Sequence, residues 1–321
     1  MDVPLRARRA RGGSLTQAPQ PVELRHGAVS AVESALIAVS ATAPANTLAT
    51  STAALVAAVG LSAPGALLFC AVPMFGISLA YYYLNTWRSD AGAAYAWVGR
   101  SLNPTLGFFA GWALVMAGLL FMVTGSLPVA SATLDIVAPK LVNSVAAVTA
   151  VGFLWFVAVL GIVLLGIKAT ANFQKAVTIF QIVGLLAIAA GAIAHGIAHP
   201  ANPPSATWWL PAGSGGSHAF VAGALVAIFF FWGWDISANL TEETVDRNRA
   251  PGIAGIAGLA IILFLFVVTV VATQLALQLA QAGAAAATVI VGLLAVGALP
   301  MIYYRRALRS VYYTEPLERA V

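Results

Sequence analysis

Long apolar runs separated by short polar connections make up most of the chain, and the length of each run decides what it can be. A helix needs about 20 apolar residues to cross the roughly 30 Å of bilayer hydrocarbon. Eight stretches reach that length: 29–60, 63–83, 106–134, 145–165, 176–197, 219–240, 253–277 and 284–304. The pattern therefore predicts an all-α integral membrane protein with about eight transmembrane helices.

Two of the eight are interrupted. The first is too long for one straight crossing and contains Ser40-Ala-Thr-Ala-Pro-Ala-Asn-Thr47. Pro44 lacks an N–H and clashes with the preceding turn, so a break is expected there. The sixth contains Phe229-Phe-Phe-Trp-Gly-Trp-Asp-Ile-Ser237, which places a helix-weakening glycine and an acid in mid-membrane. The interruptions lie five spans apart, and because five is odd, two such five-span blocks cross the membrane in opposite senses. Paired breaks at equivalent places in inverted repeats point to a transporter binding site near the bilayer midplane. The plainer alternative is a proline kink and a close-packing glycine.

Composition removes the soluble alternative. Of 321 residues, 60% are apolar and 8% charged, against about 25% charged in soluble domains. A net charge of +5 and a pI near 9.6 would raise nucleic-acid binding in a soluble protein, but the positions of the charges dispose of it. With the N-terminus inside, fifteen of the sixteen basic residues fall on the cytoplasmic side and only Lys140 falls outside, as the positive-inside bias requires. The expected organisation is a basic cytoplasmic tail (1–28), a transmembrane domain (29–304) and a cytoplasmic tail (305–321), in a multi-pass protein of the cell membrane. The first 28 residues lack the apolar core of a cleaved signal peptide. The lone Cys70 excludes a disulfide framework within the chain.

The longest connection, 198–218, is rich in Pro, Ser and Gly, so the chemistry must sit inside the membrane. Trp208 and Trp209 in that loop read first as an interfacial aromatic anchor, with cover over a vestibule as the alternative. His195 and His199 would suit a metal only if the helix ran through His199 and a third ligand existed, so no metal site is expected. No nucleotide-binding loop occurs, and no Ser-His or His-Glu arrangement suggests an intramembrane enzyme. Asn239-Leu-Thr241 matches a glycosylation triplet but falls on the cytoplasmic side.

Several motifs are familiar. Gly92-Ala-Ala-Tyr95-Ala-Trp97-Val-Gly-Arg100 followed by Leu106-Gly-Phe-Phe-Ala-Gly-Trp112 resembles the lead into span 3 of the amino acid-polyamine-organocation permeases. Trp232-Gly-Trp-Asp235 followed by Glu242-Glu-Thr-Val-Asp246-Arg-Asn-Arg249-Ala-Pro251 resembles their span 6 and the loop after it. The resemblance covers roughly 28–278 and implies the LeuT-type fold of two inverted five-helix repeats, with secondary active transport of amino acids or related amines by alternating access. Members usually have about twelve spans, and the stretch from Val291 to Arg306 looks like their last span and basic tail. The resemblance thus implies that the equivalent of spans 8 to 11 is absent. A site left facing lipid on one side would recruit a second copy of the chain, a partner or degradation, so net transport by a lone copy is not expected. A truncated non-transporting permease remnant or membrane subunit is the alternative function.

Broken helices would serve a zwitterion without many formal charges. The half-helix after Pro44 offers N–H groups and a positive dipole end to a carboxylate. By resemblance Thr42, Ala43, Pro44 and Ala45 line that end, with Asn46 and Thr47 as polar additions. Carbonyls around Phe230, Phe231 and Trp232 would take an ammonium group. Asp235, an acid in mid-span, reads as an anchor for a cationic amine or a proton carrier, or else as a cap on the second half of span 6. Trp232 and Trp234 would wall a pocket, or pack and face lipid. Glu33 would pair with Lys175 or Arg88 in a gate, although a glutamate at a helix start is favoured by the dipole alone. Lys175 sits on a helix that carries a coupling lysine in some proton-driven relatives, but looks shallow for that role, and the deeper Gln181 cannot carry a proton. Glu242 and Glu243 belong to a charged loop, solvated in the plain reading and an inner gate in the sharper one. No cofactor is implied, and coupling would be to a proton or to substrate exchange.

Overall fold

The computed structural model describes Gly27 and residues 29–164, 167–211 and 216–277. Both tails and the stretch 284–304 lie outside the described residues. Among the latter, five stretches are long and apolar enough to cross a membrane: Ala31–Trp87, Pro104–Val137, Val145–Leu164, Thr170–Ala198 and Ala250–Ala276, with Gly216–Phe230 a shorter apolar helix. The 57 residues of the first would span about 85 Å as one helix, enough for two crossings. It is divided into α1 (Ala31–Ala41), α2 (Pro44–Val59) and α3 (Ala63–Trp87).

Local chemistry explains each division. Ser30 and Glu33 form a reciprocal capping box that starts α1, with Ser30 Oγ accepting from the Glu33 N–H at 3.2 Å and Glu33 Oε2 accepting from the Ser30 N–H at 3.0 Å. The residue before a proline is disfavoured in the right-handed helical region, and Ala43 accordingly adopts φ 44° and ψ 62°, which ends α1 and lets Pro44 open α2. Gly60, at φ 60°, ends α2 ahead of a short 3-10 turn over Gly60–Ser62. The short helix α4 (Ala93–Ser101) follows, then the long α5 (Pro104–Val137), whose N-cap Asn103 accepts from the Thr105 N–H at 2.7 Å. After α6 (Val145–Leu164) and α7 (Ile167–Ala198), α8 (Gly216–Phe230) stops at the second break, and only four residues of helix, α9 (Ile236–Asn239), come after it. The described part closes with α10 (Ala250–Ala276).

The core is built by α1, α2, α3, α8 and α10, with Leu185 of α7 reaching into it. Phe230, Phe231, Leu259, Ile262 and Phe266 are fully buried there. By contrast α5 and α6 leave Phe108, Phe109, Leu120, Phe153, Leu154 and Leu164 exposed, an arrangement that hydrocarbon tolerates and water does not.

Gly233 shows how tightly the breaks are fitted. It adopts φ 113°, a conformation L side chains rarely enter, and a Cβ there would lie 2.6 Å from the Ala41 carbonyl oxygen. Gly233→Ala therefore combines backbone strain with a clash against main chain. It should destabilise the detergent-solubilised protein by roughly 2 to 5 kcal/mol, read as the shift in its thermal or denaturant unfolding midpoint. An unchanged midpoint would mean that the breaks do not meet.

Candidate functional site

The two breaks abut each other, and each is finished by tight local bonds. At the first, the Thr42 N–H and hydroxyl both donate to Val39 O, the latter at 2.8 Å, and the Thr47 hydroxyl donates to Thr42 O at 2.7 Å. At the second, the N–H groups of Phe231, Trp232, Ile236, Ser237 and Ala238 each donate three residues back. Both helices thus end in 3-10 turns that satisfy carbonyls which would otherwise be orphaned.

Beside the second break lies an open cavity of about 380 Å³. It is lined by Met74, Ile77 and Tyr81 of α3, by Leu225, Ile228 and Phe229 of α8, and by Phe231, Trp232, Gly233, Trp234 and Asp235 of the break. Tyr81 is fixed edge-on between two indoles, 5.2 Å from Trp97 and 5.4 Å from Trp234 between ring centroids. Trp232 stands against Phe121 at 5.6 Å and Phe229 at 5.9 Å.

Phe231, Trp232, Trp234 and Asp235 thus share one cavity. Phe230 instead packs into the core, 5.2 Å from Phe266. Thr42, Ala43, Pro44, Ala45, Asn46 and Thr47 do not line the cavity. Thr42, Pro44, Ala45 and Thr47 are buried, and Asn46 Oδ1 is buried with no hydrogen-bond partner among the described residues. Asp235 occupies the N-cap position of α9, but its side chain makes no capping bond there, which corrects its reading as a helix cap. Neither ion pair among the described residues involves it.

The far ends of α1 and α9 are tied together. Val29 N–H donates to Glu243 O at 3.0 Å and Val245 N–H to Val29 O at 3.1 Å, a single parallel bridge that joins the entry of α1 to the loop after α9. Glu33 meets Lys175 of α7 at 3.0 Å, not Arg88, while also serving its capping box. Burial and the neighbouring Glu242 hold the Glu243 carboxyl above its ordinary range. Asn85, fully buried, donates to Arg247 O at 2.8 Å and Asn248 O at 3.0 Å and accepts from the Thr241 hydroxyl at 3.1 Å.

In the loop beyond α7, Trp208 is 2% exposed, so it is not the interfacial anchor its sequence position suggested. The loop straps the helix ends instead: Ser62 donates to Thr207 O at 2.9 Å, and Asn202 donates to Gln274 O at 2.7 Å. His199 N–H donates to His195 O, so the helical turn does continue, but no group of three metal-ligating side chains occurs among the described residues.

The residues missed from sequence were Tyr81 and its supports. The signal was present: Met74, Ile77 and Tyr81 follow a three-and-four spacing along one face of α3, but that periodicity is indistinct in a helix apolar on every side.

Comparison with known proteins adds two findings. A family model described as amino acid permease matches residues 30–304. Over 188 residues the chain is 28% identical to the low-affinity putrescine importer PlaP of Escherichia coli (strain K12), and it matches the protein of the same name from Escherichia coli O157:H7 to the same extent. Each match covers 58% of this chain and 40% of the relative, so the chain matches only about two-fifths of those relatives' length.

Asp90 sets the α3 to α4 corner that carries Trp97 to Tyr81. Burial alone would raise its carboxyl, but the Gly92 N–H, Arg100 and Arg88 together outweigh burial and hold it below its ordinary 3.8. A lowered folded-state value means stability that is present above pH 3.8 and lost as pH falls through the folded value. Asp90→Asn should remove that acid dependence and cost about 0.5 to 1 kcal/mol near neutrality, the pair with Arg100 being partly exposed. Unfolding midpoints measured against pH for both proteins check it.

Proposed function

The chain belongs to the amino acid permease family, whose members are transporters and not enzymes, and from that premise we propose that it serves secondary active transport of an amino acid or related amine across the cell membrane. In this reading the breaks in spans 1 and 6 are the pivots of alternating access in a LeuT-type pair of inverted repeats. Asp235 anchors the substrate's ammonium group and is the group through which a proton would couple. The observation that carries the reading is this carboxylate, set in a cavity at a helix break and walled by Tyr81, Trp232 and Trp234. A charge at that depth costs about 2.5 to 3.5 kcal/mol on insertion scales, a cost that a cationic ligand would offset.

The inner gate in this scheme is the cluster at the start of α1. The Val29 bridge and the Glu33 to Lys175 pair close the end of the molecule that the basic residues assign to the cytoplasm. Opening that end would break two main-chain bonds and one half-exposed ion pair, a barrier low enough for thermal motion.

Two measurements test the proposal. In cells, cysteines placed at Ser205 and Asn248 should label from outside and inside respectively, and the reverse pattern would refute the orientation. In proteoliposomes holding the full chain, Asp235→Asn should lower saturable amine or amino acid uptake at least tenfold, the loss expected for one charge-assisted contact of about 1.5 to 3 kcal/mol. Uptake unchanged by that substitution would place the site elsewhere.

A further inference from the structure

Resting on the reading of the span 6 break as the substrate site, we propose that its cavity takes an amine with an apolar carbon skeleton and no carboxylate, in preference to an amino acid or a diamine.

The cavity has one charged pole. Asp235 supplies a carboxylate, and Tyr81, Trp232 and Trp234 present aromatic rings beside it. A carboxylate flanked by aromatic faces suits an ammonium group through a charge-assisted hydrogen bond and cation-π contact. Among the described residues that line the cavity no lysine, arginine or histidine occurs. A substrate carboxylate would therefore meet neutral donors at best, beside the like charge of Asp235.

The helix start that would suit a carboxylate is not in the lining. It belongs to α2, and none of residues 42–47 lines the cavity. The main chain of Gly233, which does line it, lies hard against Ala41 and Thr42. The hydroxyls there are also committed, Thr42 to Val39 O and Thr47 to Thr42 O. An amino acid bound by its ammonium at Asp235 would thus leave its carboxylate without a cationic partner among the described residues.

The remaining wall disfavours a second cation. Met74, Ile77, Leu225 and Ile228 form it on the described side of an open pocket, and none offers a diamine's far ammonium a partner. A monoamine with a branched or aromatic body places carbon there instead. The volume of about 380 Å³ is at the small end of ligand pockets, which run from about 300 to 1,000 Å³, and fits a body of that size.

The test uses the full chain purified in detergent and its thermal unfolding midpoint as a function of added ligand. The ligands are isoamylamine and phenethylamine, leucine and phenylalanine as their carboxylated counterparts, and putrescine. The expected result is that each monoamine shifts the midpoint at concentrations at least tenfold below its carboxylated counterpart and below putrescine, and that Asp235→Asn abolishes the shift. As a gain-of-function check, Ile77→Asp should bring putrescine to at least the potency of the monoamines by giving its second ammonium a partner. Ile77 lines the cavity, so the new carboxylate would stand on its wall. Leucine, phenylalanine or putrescine acting as well as the monoamines would overturn the inference. If that stabilisation depended on Asp235, the site would stand with a different substrate, and if it did not, the site would fall too. No shift with any ligand would overturn both, and an Ile77→Asp protein that folds but gains no response to putrescine would overturn the account of the apolar wall.

Discussion

Hydrocarbon offers no partner to a backbone N–H or carbonyl, so a helix that breaks inside a membrane must find partners within the protein. Everything around the candidate site follows from that requirement. The first break satisfies it with threonine hydroxyls on the carbonyls of Val39 and Thr42, and the second with a run of bonds to the third residue back. Setting the breaks against each other then shields both, which demands a residue with no side chain and a positive φ at position 233. The core aromatics Phe230, Phe231 and Phe266 are consequences of the same arrangement, since they seal the buried side of the second break.

A four-residue helix cannot hold its own direction, because nucleation alone costs more than so few bonds return. The position of α9, and with it of Asp235, is therefore set from outside. Asn85 grips the loop that follows, Val29 bridges to Glu243 and Val245, and Ala238 packs against Ala93 and Trp97. The same Trp97 orients Tyr81, which reaches back to Trp234. Contacts made at the end of the bundle are thus mechanically continuous with the cavity wall, and a motion that releases the Val29 bridge would be felt at Asp235.

Much of this was legible in the sequence, for physical reasons that differ by element. Span length and charge asymmetry are properties of composition that no tertiary contact overrides, and the stretches from 63 to 277 are helical where the apolar pattern places them. Both breaks were legible because Pro44 and Gly233 act through local backbone rules. What the sequence could not supply was which face of each break looks where. Residues 42–47 and Asp235 stand at matching places along their spans, yet only the second set opens on the cavity. Trp208 was misread for a related reason: an indole near a span end is interfacial by default, and only tertiary packing of the 199–211 loop takes it inside. Tyr81 went unseen because a helix apolar all round gives no moment by which to choose a face.

Three costly features meet at the second break. Asp235 without an ion-pair partner among the described residues, a glycine at φ 113° and an open pocket of about 380 Å³ all occur between residues 231 and 235 and the facing turn of α3. Other departures lie apart from them, in Ala43 at φ 44°, Ala93 at φ 41° and buried polar atoms such as Ser78 Oγ and Trp208 Nε1 that have no partner among the described residues. Ser30 and Asn103 cap their helices, and the polar atoms of the buried Asn85 are all bonded. Among the described residues, an unpaired acid, a strained glycine and open space coincide at this segment, with aromatic contacts from Tyr81 and Phe121 supporting it on either side. Apolar walls lower the local dielectric and strengthen an ion contact made beside them, which is the physical ground for the proposal that Asp235 holds a cation.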